Sequence, residues 1–161
     1  MIFPYKSILI ACSVNTARSR MAEGYLKTIF KDNLRINSCG VASNARDGML
    51  ISLDARLAMK EEGIILPEDS KSRDLKRHIN LLKESDLVLT LTEDHKKIVK
   101  NLIKAHQFKG IEIFTIREFA GKEGDIEDPS MKELEGFRKA RDEIKFCIKE
   151  GLKKYNVKLD I

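Results

Sequence analysis

Five residues separate Cys12 from Arg18 in the run Cys12-Ser13-Val14-Asn15-Thr16-Ala17-Arg18-Ser19-Arg20-Met21-Ala22-Glu23. A thiol close to an arginine and to the start of a helix favours its thiolate form, which is the nucleophile. A guanidinium can grip two oxygens of a phosphate in a bidentate fork, which an ammonium cannot do. Backbone N–H groups of a short loop entering a helix add an anion cradle. Ser19 follows Arg18 and can donate to the sulfur. The stretch therefore offers a nucleophile (Cys12), an oxyanion clamp (Arg18) and a phosphate-binding loop (Ser13, Val14, Asn15, Thr16, Ala17 and Ser19). Asn15 reads as a residue that holds the loop's shape. The plain alternative is a buried cysteine at a strand end beside a surface cation.

Attack on a phosphoester also needs an acid for the leaving group. A second stretch, Gly121-Lys122-Glu123-Gly124-Asp125-Ile126-Glu127-Asp128-Pro129, could supply it through Asp128. Pro129 restrains the backbone there and so limits where the carboxylate points. An Asp-Pro pair also suits the cap of a following helix, and that reading stands beside the acid role.

These residues need elements to position them. Tyr5–Ala11 is a short apolar run suited to a buried strand. Apolar residues at 21, 22, 25, 26, 29 and 30 give a helical period over Ser19–Phe30. Strand patterns recur at Leu34–Val41, Leu87–Leu91 and Ile111–Ile116. Helical ones recur at Leu53–Gly63, from His95 to Ile103, and from Leu134 to Leu152. Strands alternating with helices predict an α/β fold: one domain over residues 1–161, a four-stranded parallel sheet and helices on both faces in three layers. In such sheets ligands sit at the carboxyl ends of strands, where Cys12 and the Asp128 loop both fall.

Composition narrows the function. The chain has 161 residues, with 42% hydrophobic and 34% charged, as in ordinary globular proteins. No apolar run is long enough to span a bilayer, and the N-terminal residues do not resemble a signal peptide, so no membrane role and a cytoplasmic location are expected. The net charge is +5, but lysines alternate with acids and no basic block is interleaved with aromatics, so nucleic-acid binding is not expected. Cys12, Cys39 and Cys147 are too few and too dispersed for a disulfide framework or a zinc site. No metal or organic cofactor is called for.

The first stretch resembles the signature of the low-molecular-weight protein tyrosine phosphatase family, Cys-x-Gly-Asn-x-Cys-Arg-Ser-Pro-Met-Ala-Glu. Cys12, Asn15, Arg18, Ser19, Met21, Ala22 and Glu23 match. Val14 stands where glycine is usual, and Ala17 replaces the second cysteine. Arg20 replaces proline and is expected to add positive charge beside the site. Asp128-Pro129 corresponds to the pair carrying the family's general acid. Ser38, Gly40, Glu62-Gly63-Ile64 and Ser72-Arg73 extend the likeness along the chain. Ser130 stands where an aromatic residue is usual, and Ser70-Lys71 where a histidine commonly precedes the Ser-Arg pair.

The resemblance implies a cofactor-free protein phosphatase working through a cysteinyl-phosphate, with a phosphorylated protein as substrate and a monomer or weak dimer as its state. Cys12, Arg18 and Asp128 would be the catalytic residues. Thr16 occupies a position that is usually threonine in the arginine-phosphatase branch and a bulky aliphatic residue in the tyrosine-specific branch. Two alternatives remain at this point. An arsenate reductase of related build needs two further cysteines, and Ser72–Lys104 contains none. A phosphate-binding module without turnover would trace to Val14.

Overall fold

The computed structural model describes residues 1–161. Strand β1 (Ser7–Cys12) leads through a loop into helix α1 (Arg18–Phe30), and strand β2 (Arg35–Gly40) follows. Helices α2 (Leu53–Lys60) and α3 (Asn80–Lys83) precede strand β3 (Leu87–Thr90). Helix α4 (Glu93–His106), strand β4 (Glu112–Thr115) and helices α5 (Ile116–Phe119) and α6 (Glu133–Leu152) complete the chain. The sheet order is β2-β1-β3-β4 and every pairing is parallel. The expected four-stranded parallel sheet is present.

Side chains of β1 alternate between the two faces of the sheet, as the pleat requires. Ile8, Ile10 and Cys12 join the larger core, built with α1, α2 and α6. Leu9 and Ala11 join the smaller core, with Val88, Leu82 and Val99. All six residues of β1 are buried, which explains why the strand reads as a continuous apolar run and not as an alternation.

Strand and helix limits differ from the sequence expectation mainly at their ends. β1 begins at Ser7, because Asp86 accepts from the backbone N–H groups of Lys6 and Ser7 and draws the chain into the sheet there. The helix expected to reach Gly63 stops at Lys60, and Gly63 closes the turn at φ 75°. Helices α3 and α5 are one turn each, too short to leave a periodic signal. No helix is long and apolar enough to cross a membrane.

Candidate active site

The loop from Ser13 to Ala17 wraps around the Cys12 sulfur. Cys12 is the last residue of β1 and only 3% exposed. Val41 and Ala42 donate their N–H groups to the carbonyls of Cys12 and Ser13, and Ser52 donates to that of Thr16. These bonds tie the loop carbonyls to the surrounding chain. Of the loop amides, that of Asn15 points at the sulfur, 3.3 Å away. Gly40 permits the close approach of β2, since a Cβ there would lie 2.8 Å from the Ser13 carbonyl oxygen and 3.0 Å from Val14 Cα.

Helix α1 begins at Arg18 with no side-chain cap and no acid in its first turn. The other helices near this edge differ. Thr92 caps α4, and Thr115 and Glu118 form a reciprocal capping box on α5. The first turn of α1 thus keeps its positive end for an anion.

Asn15 adopts a left-handed backbone at φ 64°, which asparagine tolerates better than most residues. Its side chain braces the loop from within. Nδ2 donates to Ser19 Oγ at 2.8 Å and to Ser38 Oγ at 2.9 Å, while Oδ1 accepts from the Arg73 N–H at 3.0 Å. Ser38 in turn donates to Glu23 at 2.7 Å. Ser19 Oγ lies 2.9 Å from Cys12 Sγ. With Cys12 as the thiol its S–H donates to Ser19 Oγ, which also accepts from Asn15; once the sulfur is a thiolate, the rotatable Ser19 hydroxyl can donate back to it. Asn15, read in the sequence as a loop-shaping residue, and Ser19, read as a donor to the sulfur, thus both lie against Cys12.

Arg18 is buried to 5% exposure and spans the site. Nη1 donates to the Ile126 carbonyl at 2.7 Å, and Nη2 to Ser13 Oγ at 3.4 Å. Asp128 Oδ2 stands 4.0 Å from Nη2, with its side chain 56% exposed. The two stretches picked out in the sequence are therefore adjacent. Asp128 does not cap α6, whose N-cap is Lys132, but accepts from the Ser130 N–H at 3.0 Å in a local turn. Partial burial raises the Asp128 pKa, yet the Ser130 hydrogen bonds and the Arg18 charge outweigh it and hold the carboxyl below its ordinary value.

His95, in the first turn of α4, was legible only as part of a helical stripe. It is 4% exposed, and its Nε2 lies 2.8 Å from Ser13 Oγ. Burial, with the nearby Arg18 charge, pushes it down to about 4, so the ring is neutral at neutral pH. Its position just after β3, at the same sheet edge as Cys12, was the available signal.

A cleft of about 480 Å³ opens over Ser13 and Arg18, walled by His95 and by the acids Asp94, Asp125, Glu127 and Asp128. Arg20 does not face it. The guanidinium is turned inward at 4% exposure against Asn15, so its charge lies beside the Cys12 loop and not on the cleft rim, which stays acidic. Thr16 and Val14 are half-buried in the loop, and Ala17 is buried at the entry to α1. Cys39 is fully buried on β2 and Cys147 on α6; all three thiols are free. No cluster of metal-ligating side chains is present.

A thiol held by an amide and a hydroxyl, beside a buried guanidinium and a largely exposed carboxyl, suits phosphoryl transfer to sulfur. The family model for low molecular weight phosphotyrosine protein phosphatase matches residues 7–159. A protein-arginine-phosphatase of Geobacillus stearothermophilus is 34% identical over 90% of this chain and 92% of its own length. An arsenate reductase of Staphylococcus aureus (strain Newman) is 31% identical over 89% of this chain and 93% of its own. The crystal structure of a low molecular weight protein tyrosine phosphatase from T. tengcongensis superposes with a TM-score of 0.77 at 33% identity, covering 92% of this chain and 99% of that one.

Proposed function

The chain belongs to the low molecular weight phosphotyrosine protein phosphatase family and is a cysteine-dependent phosphatase, and we propose that Cys12, Arg18 and Asp128 carry its chemistry on phosphoarginine or phosphotyrosine in proteins. The observation behind this is the convergence of Arg18 on both the Cys12 loop and Asp128.

In the first step the Cys12 thiolate attacks phosphorus, the bond from phosphorus to the leaving oxygen or nitrogen breaks, and the Asp128 carboxyl gives that atom its proton. In the second, water attacks the phosphorus of the cysteinyl-phosphate and Asp128 takes a proton from it. The S–P bond then breaks to return thiolate and release inorganic phosphate. Arg18 and the loop amides hold the equatorial oxygens, where the charge is spread. Ser19 donates to the sulfur as it leaves. An incoming phosphate offsets the Arg18 charge and adds its own near Asp128, which raises the carboxyl from its depressed value and readies it as an acid.

Two features favour phosphoarginine. The acidic cleft wall suits a guanidinium, and Thr16 offers a hydroxyl in the loop. The arginine-phosphatase relative supports the same choice. The arsenate reductase reading lacks its chemistry here: Ser72–Lys104 has no cysteine, and Cys39 is fully buried. Three free, buried thiols fit a reducing cytoplasm, and a monomer or weak dimer is part of the same reading.

The test compares hydrolysis of a phosphoarginine protein and a phosphotyrosine peptide in one buffer, by wild type and Cys12→Ser. The expected result is turnover by the wild type, faster on phosphoarginine, and none by Cys12→Ser, which should still bind inorganic phosphate. Retained turnover in Cys12→Ser would overturn the covalent mechanism.

A further inference from the structure

Arg20 and Ser70-Lys71 are departures from the family pattern that lie far apart in sequence, and in this fold they touch. Arg20 Nη2 donates to Ser70 Oγ, and Nη1 lies 3.4 Å from the Lys71 carbonyl oxygen. The same Nη1 is 3.4 Å from Asn15 Oδ1. Nε faces Glu23 Oε1 at 3.4 Å as an ion pair. The guanidinium is thus held by the loop, by the chain at Ser70-Lys71 and by α1 itself.

These contacts close a ring. Arg20 meets Glu23, Glu23 accepts from Ser38, Ser38 accepts from Asn15, and Asn15 Oδ1 faces Arg20 again. Two branches leave the ring toward the chemistry, both at Asn15: its backbone N–H donates to Cys12 Sγ, and its side-chain Nδ2 donates to Ser19 Oγ, which meets Cys12 Sγ. Donors on the Oδ1 side, from Arg20 and from the Arg73 N–H, fix which end of the Asn15 amide faces Ser19. Glu23, which takes the ion pair, also anchors Ser38, the other acceptor of that amide.

We infer that Arg20 is a positioning residue for catalysis, which acts through Asn15 to aim the Ser19 hydroxyl at the Cys12 sulfur. It touches no substrate: it is buried and absent from the cleft wall. Its charge is balanced in place by Glu23, which Lys27 also contacts at 2.8 Å. The paired departures at 20 and at 70-71 then make one unit, a guanidinium together with the hydroxyl and carbonyl that receive it. This inference rests on the phosphatase reading of the Cys12 loop.

The experiment is a double-mutant cycle on p-nitrophenyl phosphate hydrolysis with Arg20→Met, Ser19→Ala and the double variant. Arg20→Met should lower kcat roughly 10-fold or more, as small misplacements of a reacting group do. KM and inhibition by inorganic phosphate should move less than about threefold. Because Arg20 works through Ser19, the double variant should be no slower than Ser19→Ala alone, within about twofold.

Iodoacetate alkylation of Cys12 gives a second readout that needs no turnover, and Arg20→Met should slow it several-fold at neutral pH. Multiplying losses in the double variant, or unchanged kcat and alkylation in Arg20→Met, would overturn the inference. If Arg20→Met does not fold, Arg20→Lys carries the same cycle: it keeps the charge but not the fork, and should lose kcat with the same non-additivity. Wild-type protein without turnover would be a failure of the phosphatase reading, and the alkylation rates would still decide on Arg20.

Discussion

Asp128 Oδ2 stands 4.0 Å from Arg18 Nη2, so the carboxylate proposed as the acid rests beside the guanidinium proposed as the phosphate clamp. In the free protein this contact works against acid catalysis, since Arg18 stabilises the ionised carboxylate. A bound phosphate reverses the balance by occupying Arg18 and adding negative charge nearby. The carboxyl is more than half exposed, so it has room to follow a leaving group.

Asp128→Asn should therefore slow esters with poor leaving groups by roughly 10²–10⁴, the usual worth of a positioned acid. Esters with good leaving groups need little protonation and should lose far less. The check is a pair of kcat values for an alkyl and an activated aryl phosphate. An equal loss on both would make Asp128 a structural residue.

His95 gives a prediction about stability and pH. Its ring is held at about 4 in the folded protein, against 6.5 for an ordinary histidine. The unfolded chain therefore binds more protons between those values, and stability rises with pH across that window. It should be complete above about 6.5 and lost progressively as the pH falls toward 4. For a single buried ring the loss from pH 7.5 to pH 5 is about 2 kcal/mol. Urea melts at the two pH values should show it, and His95→Gln should flatten the difference. A wild-type difference that survives unchanged in His95→Gln would assign the effect to other groups.

Much of this arrangement was legible because it is local. Cys12, Arg18 and Ser19 lie within eight residues, and the shift from an apolar run to a helical period around them marks a strand end and a helix start. Four strands alternating with helices implied the parallel sheet, although not the order β2-β1-β3-β4. What escaped was set by contacts between distant segments. His95 reads as one more position on the α4 stripe until Ser13 is placed against it. Arg20 reads only as a positive charge added beside the site, because its burial depends on Ser70 and Lys71, which lie on another part of the chain. Charge alone does not say which way a long side chain turns.

Ala17 bears on oxidation. Family members with a second cysteine in the loop can store an oxidised nucleophile as a disulfide. Here Ala17 removes that partner. Cys39 sits on the neighbouring strand opposite Ala11, but it is fully buried and burial pushes its thiol up, so it is a poor resolving group. Cys12 oxidised by peroxide should then climb toward sulfinic acid, which ordinary thiols do not reverse. Activity should recover poorly after peroxide and dithiothreitol, and Ala17→Cys should improve recovery. Full recovery of the wild type would show that Cys39 or another thiol protects the site.

Thr16 tests the choice of substrate. Its carbonyl is fixed by the Ser52 N–H at 2.9 Å, so the backbone at this position is held from α2's side whatever the side chain. The side chain is half-buried in the phosphate loop, between Asn15 and the entry to α1. A hydroxyl here suits a polar guanidinium and the water of the second step. A larger aliphatic group would pack against an aromatic leaving group and exclude that polar contact. The cleft rim, with Asp125, Glu127 and Asp128 and with Arg20 turned inward off its wall, adds attraction for a guanidinium. Thr16→Ile should therefore lower phosphoarginine hydrolysis and spare or raise phosphotyrosine hydrolysis, read as kcat/KM on each substrate in the same buffer. A rearranged loop would depress both, because Cys12 and Arg18 serve both reactions. A parallel fall in the two rates would show that Thr16 only supports the loop, and the preference for phosphoarginine would then rest on the acidic rim alone.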